Sequence, residues 1–432
     1  MSKQLKSLCI REFGKIHQIK KDEDYKNGID DIYINAKAWD ELSQFADSDK
    51  KDNRFLRFHN KSILKVQNFV GVITTSDGTQ IEILPKIEDK VSDESANKSR
   101  EILAKMLRTV NTLPFIETTK ASLQIKNRPL PETLIAWFLN YVDRIVKKGI
   151  RRDYIRVANH EKFLKGQLQL QKQVNEPPHR QHLFHIEYDV LSPNRAENRL
   201  IHSALIQVSK WSRDNHNQSL AKHLFMLFDE VPLSKNHQSD FEKWSISRDM
   251  NYYQTVLPWL KLILNQQSPF TLKDKHTGIS FLLPMEELFE KYVAKILDSK
   301  LNNKHTLKEQ KPQKNLAYFG DKKVFTMKPD IVIQKGKDIK LILDTKWKLI
   351  DEKNPTPTYG KENHHTIKQG DMYQLFAYGK RYGVTRVILI YPRWSKFNKR
   401  LFYRFDDNLS LVAIPFSLDT DSFSTKANNA CL

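Results

Sequence analysis

At 432 residues the chain is long enough for two or three domains, and 39% hydrophobic content with 23 Phe and 15 Tyr excludes a disordered polymer. Lys and Arg (71) outnumber Asp and Glu (51), and the formal charge of +20 draws polyanions, nucleic acid first among them, to the surface. Two cysteines, Cys9 and Cys431, exclude a disulfide framework and a cysteine-rich zinc site.

The opening MSKQLKSLCIREFGKI lacks the continuous apolar core of a signal peptide, and no apolar run approaches the roughly 18 residues of a membrane span. A reducing, cytoplasmic setting without a membrane partner is expected. Residues 1–90 read as strand-rich, with short apolar segments at Ile63–Phe69, Val70–Ile73 and Gln80–Leu84. In TTSDGTQIEILPKI, Asp77-Gly78 supplies a tight hairpin turn, Ile81 and Ile83 alternate with Glu82, and Pro85 ends the strand. The polar stretches 47–53 and 89–99 read as local elaborations, the second as a linker.

Helical periodicity follows in 91–270. Ile102, Leu103, Met106, Leu107 and Val110 recur at three and four, and LIAWFLNYVDRIVKKGI has the same pattern. This second helix runs into Lys147, Lys148, Arg151, Arg152 and Arg156, which serve either phosphates or simply a solvated helix end. Phe184–Tyr188 is a strand candidate, Ser192 a cap for the helix carrying Glu197, Asn198, Leu200 and Ile201, and two further helices are expected near Ser219–Phe228 and Tyr253–Ile263. The polar segment Asn265–Gly278 is the expected boundary of a C-terminal domain, 271–432.

That domain carries the chemistry. In FTMKPDIVIQKGKDIKLILDTK, two apolar runs flank a Gly336-containing connection, as in a hairpin with a longer loop. Strand alternation puts Ile342, Asp344 and Lys346 on one face, and Asp330, preceded by Pro329, opens the partner strand. Two adjacent carboxylates are costly unless a cation lies between them, and a set of oxygen ligands suits Mg²⁺. Lys346 then orients or deprotonates a water, or offsets transition-state charge; the sequence does not choose between these roles. Upstream, FLLPMEELFEKYVAKIL makes an amphipathic helix on which Glu290 lies beside the apolar stripe, with Glu286 one turn earlier as its rival. Downstream, on the helix TIKQGDMYQLFAYGKRYG, Gln374 and Tyr378 share a face with Asp371 one turn before. They form a polar row toward the metal site, or else Tyr378 packs with its hydroxyl satisfied. His364 and His365 sit in a polar loop and read as surface residues. Strands at Val387–Pro392, Leu401–Phe405 and Leu411–Phe416 complete an α/β core with a mixed sheet. The bland alternative for the acidic group is a surface salt-bridge cluster. No GxxxxGK[ST] sequence is present, so any nucleotide-driven motor must be another polypeptide.

KPDIVI, LILDTKWK and DMYQLFAYGKRY together resemble the PD-(D/E)XK nuclease superfamily and, more closely, the McrC family, the nuclease subunit of the McrBC restriction system. IEILPKI, FLKGQL and YDVLSPNRAENRLIHSAL extend the resemblance over most of the chain. It implies a restriction-endonuclease-like core behind a mixed strand-rich and helical N-terminal region. It also implies catalytic roles for Glu290, Asp330, Asp344, Lys346, Gln374 and Tyr378, with Mg²⁺ held by Glu290, Asp330 and Asp344. The partners it implies are double-stranded DNA carrying methylated cytosine and a McrB-like AAA+ GTPase ring, on which residues 1–90 dock and whose GTP hydrolysis they stimulate. An autonomous repair or defence nuclease and a non-catalytic activator of an AAA+ ring are the competing readings.

Overall fold

The computed structural model describes residues 7–19, 25–47, 55–87, 93–110, 129–245, 250–265, 281–302, 304–310, 314–356 and 365–423. Residues 48–53 of the expected elaboration, 266–278 of the expected boundary, His364 and Cys431 lie outside them. The chain divides into one unit of Met1–Leu113, Thr119–Leu130 and Leu272–Leu432, and another of Pro114–Thr118 and Pro131–Thr271. The architecture is mixed α/β with several sheets.

In the first unit, a four-stranded sheet has the order Ser7–Arg11, Gln80–Leu84, Phe69–Thr74, Phe281–Pro284. The Asp77-Gly78 hairpin forms as expected, pairing Thr74 with Gln80. The last strand comes from more than 190 residues downstream, since Phe281 pairs with Val72 and Leu282 with Gly71. Gly71 permits this pairing: its φ is +135°, and a Cβ there would meet the Phe281 carbonyl oxygen at 1.9 Å. Pro284 then leads directly into the helix Met285–Lys300, whose first amide donates to the Asn68 carbonyl at 3.1 Å. The start of the glutamate-bearing helix is thereby fixed to the N-terminal sheet. A second four-stranded sheet, ordered Asp31–Ile34, Lys15–Gln18, Ile63–Val66, Leu56–Asn60, is accompanied by a helix, Ala36–Asp47, that the sequence reading did not include.

The linker expected at 89–99 is corrected: a helix runs Asp93–Thr109, with Leu103, Met106 and Leu107 fully buried. Its polar first turns obscure a periodicity that becomes apolar only from Ile102.

The largest sheet has seven strands. Its main order is Thr306–Glu309, Ile331–Lys335, Asp338–Thr345, Arg386–Pro392, Ser410–Ser417, Leu401–Arg404, with Ser422–Phe423 also paired to Ser410–Ser417. The expected hairpin forms, with Ile331 opposite Leu343, but its turn is tighter than the sequence implied: Lys335 pairs with Asp338 across Gly336-Lys337, and Gly336 takes φ +61°. Strands Asp338–Thr345, Arg386–Pro392 and Ser410–Ser417 are parallel to their neighbours in that order. Burial is near-continuous along Arg386–Pro392 and Ser410–Ser417 and over the second half of Asp338–Thr345, which fits a sheet covered on both faces there. Helix Gln369–Tyr382 packs Leu375, Tyr378 and Tyr382 into a core with Ile342, Val387 and Leu389.

The second unit contains the helices Ala196–Trp211 and Asn215–Leu227, most of Leu130–Lys148, and a three-stranded sheet ordered Asp153–Glu161, Phe184–Ser192, Gln167–Leu168. Ser192 is not a cap: Arg195 occupies that position, and the Ser192 hydroxyl accepts from the Asn194 amide at 3.2 Å. The helix expected at Tyr253–Ile263 is broken into Asn251–Gln254, Leu257–Leu260 and a π-helical turn Lys261–Asn265, with Pro258 opening the second piece. The basic stretch after Lys148 turns into a strand, and several of its cations face carboxylates, Arg152 meeting Glu230 at 2.9 Å. No helix among the described residues is long and apolar enough to cross a membrane.

Candidate active site

Asp344 stands near the carboxyl end of a strand whose neighbour is parallel, the end at which open α/β sheets receive ligands. Its side chain is 1% exposed. Apart from the Lys346 ammonium, 2.5 Å from Oδ2, neither of its oxygens has a hydrogen-bond partner among the described residues. Burial first, then Asp330, pushes the Asp344 carboxyl well above the usual range, with Lys346 opposing. Burial works against the charge of Lys346 in turn, but Asp344, Asp330 and Asp371 outweigh it and hold the ammonium above its ordinary pKa. This is the same-side pairing of Asp344 and Lys346 that strand alternation implies.

Asp330 immediately precedes the partner strand. Its Oδ2 accepts two hydrogen bonds from Thr345, from the amide at 2.8 Å and from the hydroxyl at 3.0 Å. These bonds tie Asp330 to the strand end that carries Asp344 and leave its other oxygen outside that clamp.

Glu290 is buried on the Met285–Lys300 helix, whereas its rival Glu286 is exposed. Burial first, then Asp330, raises its carboxyl to about 7, with Asp344 and Glu309 adding and a hydrogen bond from Gln310 subtracting. The three carboxylates therefore sense one another, and the structure brings together Glu290, Asp330, Asp344 and Lys346.

Gln374 and Tyr378 are hydrogen-bonded to each other, Gln374 Nε2 donating to the Tyr378 hydroxyl at 2.9 Å. That hydroxyl donates in turn to the Lys328 carbonyl at 3.1 Å. The Tyr378 hydroxyl is thus satisfied, and its partner lies in the segment that leads through Pro329 to Asp330. Burial raises the Tyr378 pKa, and Asp344 and Asp330 add to the shift. Asp371 is half-buried and lies close enough to raise the Asp344 carboxyl. His365 stacks on Trp394, ring centroids 5.3 Å apart, and bonds the Leu349 carbonyl at 3.0 Å, so it packs more than a surface residue does.

Three residues escaped the sequence reading. Gln310 donates its side-chain amide to Glu290 at 2.8 Å and its backbone amide to the Asp330 carbonyl at 3.0 Å, from a left-handed backbone at φ +39°. Thr345, inside the Asp-Thr-Lys run, clamps Asp330. Glu12 accepts from the Trp347 indole at 2.8 Å, next to Lys346 in sequence. Only Thr345 had a sequence signal, its place between two named residues; the others arrive from strands distant in the chain.

The buried Asp344 Oδ1, without a donor among the described residues and set among other carboxylates, fits a hard divalent cation, which would replace the missing partner and offset the repulsion that adds to burial in raising Glu290 and Asp344.

Among known protein families, the model described as McrBC 5-methylcytosine restriction system component matches residues 64–392. No curated protein matches the sequence. A chain in the refined half-complex of the tetradecameric assembly of Thermococcus gammatolerans McrB AAA+ hexamers with bound McrC is similar in fold. Its TM-score is 0.73 at 18% identity, over 98% of this chain and 97% of that one. A chain in the cryo-EM structure of the Thermococcus gammatolerans McrBC complex gives a TM-score of 0.52 at 21% identity, over 68% of this chain and 87% of that one.

Proposed function

Because the chain belongs to the McrBC 5-methylcytosine restriction system component family, we propose that it is the DNA-cutting subunit of such a system, hydrolysing phosphodiester bonds of methylated double-stranded DNA through a PD-(D/E)XK-type site. The observation that carries this reading is the convergence of Asp344 and Asp330 on one strand end, with Glu290 close enough to feel both charges and Lys346 paired to Asp344. Glu290, Asp330 and Asp344 would hold Mg²⁺, which supplies Lewis-acid polarisation of the phosphate and a more acidic bound water.

The chain's own residues do the rest. Thr345 fixes Asp330 Oδ2 against the strand, which limits the directions open to the other oxygen. Gln310 orients the Glu290 carboxylate while holding the Asp330 backbone. Tyr378, oriented by Gln374, braces the Lys328 carbonyl and with it the approach to Asp330. Lys346 brings a fixed positive charge beside Asp344, placed to orient a water or to stabilise charge developing on phosphate oxygens. The net charge of +20 favours the encounter with DNA.

The partner in this reading is a separate AAA+ GTPase ring, whose GTP hydrolysis this chain stimulates. The fold is similar to a chain of an assembly of McrB AAA+ hexamers with bound McrC, and the sequence carries no P-loop of its own. The test is cleavage of methylated duplex DNA by wild type and Asp344→Ala, with and without the ring protein, Mg²⁺ and GTP. Cutting that needs all three and disappears in the variant is the expected result. Cutting without the ring would replace this reading by an autonomous nuclease. Stimulated GTP hydrolysis with no cutting would leave a non-catalytic activator.

A further inference from the structure

The three-stranded sheet of the second unit holds another group of ligand-type side chains. Strands Asp153–Glu161 and Phe184–Ser192 pair antiparallel with His160 directly opposite His185, so both imidazoles rise from the same face. Their rings stack with centroids 3.9 Å apart and planes 13° apart. Glu176, on the connection after the short helix Leu170–Val174, reaches back to both: Oε2 lies 2.5 Å from His185 Nε2, and Oε1 lies 3.8 Å from His160 Nε2. Two Nε2 atoms thus converge on one carboxylate, and a donor atom from each of the three residues lies within 4.8 Å of the others. His160 Nε2 is shielded from solvent and has no hydrogen-bond partner among the described residues, a group that calls for a ligand or proton acceptor.

The backbone around this cluster is held in advance. Gln173 accepts from the His185 amide at 2.9 Å and donates to the Leu183 carbonyl at 3.1 Å, and the Gln169 amide donates to the His185 carbonyl at 2.8 Å. The sheet, by contrast, has almost no core of its own: among the residues of its three strands only Ile186 is buried. Small substructures that bury so little apolar area need another staple, and a structural metal is one of the few available.

We propose that His160, Glu176 and His185 bind a divalent transition metal of the zinc class, bracing this sheet. Two imidazole nitrogens and one carboxylate oxygen suit Zn²⁺, with water in the fourth position, and do not suit Mg²⁺, which takes oxygen ligands. Bonds of about 2.0–2.1 Å in a tetrahedral shell put donor atoms roughly 3.3 Å apart, between the 2.5 and 3.8 Å separations of the cluster. Entry of the ion needs Glu176 to draw back from His185 and the rings to open from near-parallel. The connection bearing Glu176 is short and largely exposed.

The experiment uses the full chain, stripped with a chelator and titrated with Zn²⁺, and with Co²⁺ as a spectroscopic probe. One tight Zn²⁺ per chain, a tetrahedral Co²⁺ absorption band, and slower amide exchange across Phe184–Ser192 on loading are expected. Glu176→Gln, nearly isosteric, lowers the affinity by about 10-fold or more, and the double variant His160→Ala/His185→Ala loses the band while keeping its far-ultraviolet circular dichroism. Asp344→Ala, at the other site, retains it. The proposal is overturned if wild type takes up no more Zn²⁺ than the double variant, if Asp344→Ala abolishes the uptake, or if Glu176→Gln binds as tightly as wild type.

Discussion

Glu82 and Asp344 lie on strands of the same unit and are equally withdrawn from water, at 2% and 1% side-chain exposure, yet their surroundings differ. Glu82 accepts from Arg100 Nε and Nη2, each at 2.7 Å, and from the Leu130 amide at 3.1 Å, so its charge is met by a guanidinium fork and a backbone donor. Asp344 has one lysine and three neighbouring carboxylates, Asp330, Asp371 and Glu290. A buried carboxylate saturated by its own chain belongs to the framework. One left among like charges is the one open to a metal and to chemistry. Glu12 stands between them: 1% exposed, it accepts from the Lys86 amide at 3.0 Å and the Trp347 indole at 2.8 Å but has no guanidinium fork, and among the described residues its Oε1 has no partner. Burial pushes its carboxyl up to about 8, the two N–H donors opposing.

The sharpest way to break this contrast is to remove the unsaturated carboxylate on one side and the saturating cation on the other. Asp344→Ala is expected to lower DNA cleavage by about 10³-fold or more, roughly 4 kcal/mol of transition-state stabilisation, while the metal-free protein melts at the same temperature or higher because a like-charge neighbour is gone. Single-turnover cleavage and calorimetry on the same samples check both halves. A large fall in melting temperature would make Asp344 a framework residue like Glu82. Arg100→Ala should do the opposite, costing about 3–5 kcal/mol by leaving Glu82 buried and uncompensated, as urea unfolding would measure.

Glu12 supplies a pH test. Its folded pKa is raised above the unfolded value, so its stabilising contribution is complete below about 4.5 and fades as pH rises through about 8. Wild type is expected to lose roughly 3 kcal/mol relative to Glu12→Gln between pH 5 and 8, read from paired unfolding curves. Parallel curves would mean that the carboxyl stays ionised in the folded protein. The smallest effect belongs to Gln310→Ala. It frees the Glu290 carboxylate of its hydrogen bond for about 1 kcal/mol of stability and raises the Mg²⁺ concentration needed for half-maximal cutting by about 10-fold. An unchanged Mg²⁺ requirement would leave Gln310 with a purely structural task.

Much of the acidic site was legible in the sequence because strand and helix periods are local: the spacing from Asp344 to Lys346 puts both on one face, and the stripe beside Glu290 gives its helix. The Gly336 hairpin brings Asp330 toward Asp344 by the same short-range logic, although its turn proved tighter than composition implied. What stayed hidden depends on contacts between distant segments. The pairing of Phe281–Pro284 with Phe69–Thr74, which anchors the Glu290 helix, leaves no trace in either strand beyond Gly71. Gln310 and Glu12 look like ordinary polar residues until folding buries their partners. The His160–His185 pair is invisible to local spacing because the register of an antiparallel hairpin, not sequence distance, makes them neighbours.

The sequence by itself determined the element types around the site, the presence of three acidic residues and a lysine at strand and helix positions, and a basic chain without a P-loop. Only the tertiary structure decided which carboxylates are buried and which are partnered. Periodicity reports the face a residue occupies, whereas desolvation, like-charge repulsion and hydrogen-bond saturation depend on what the rest of the chain brings against that face.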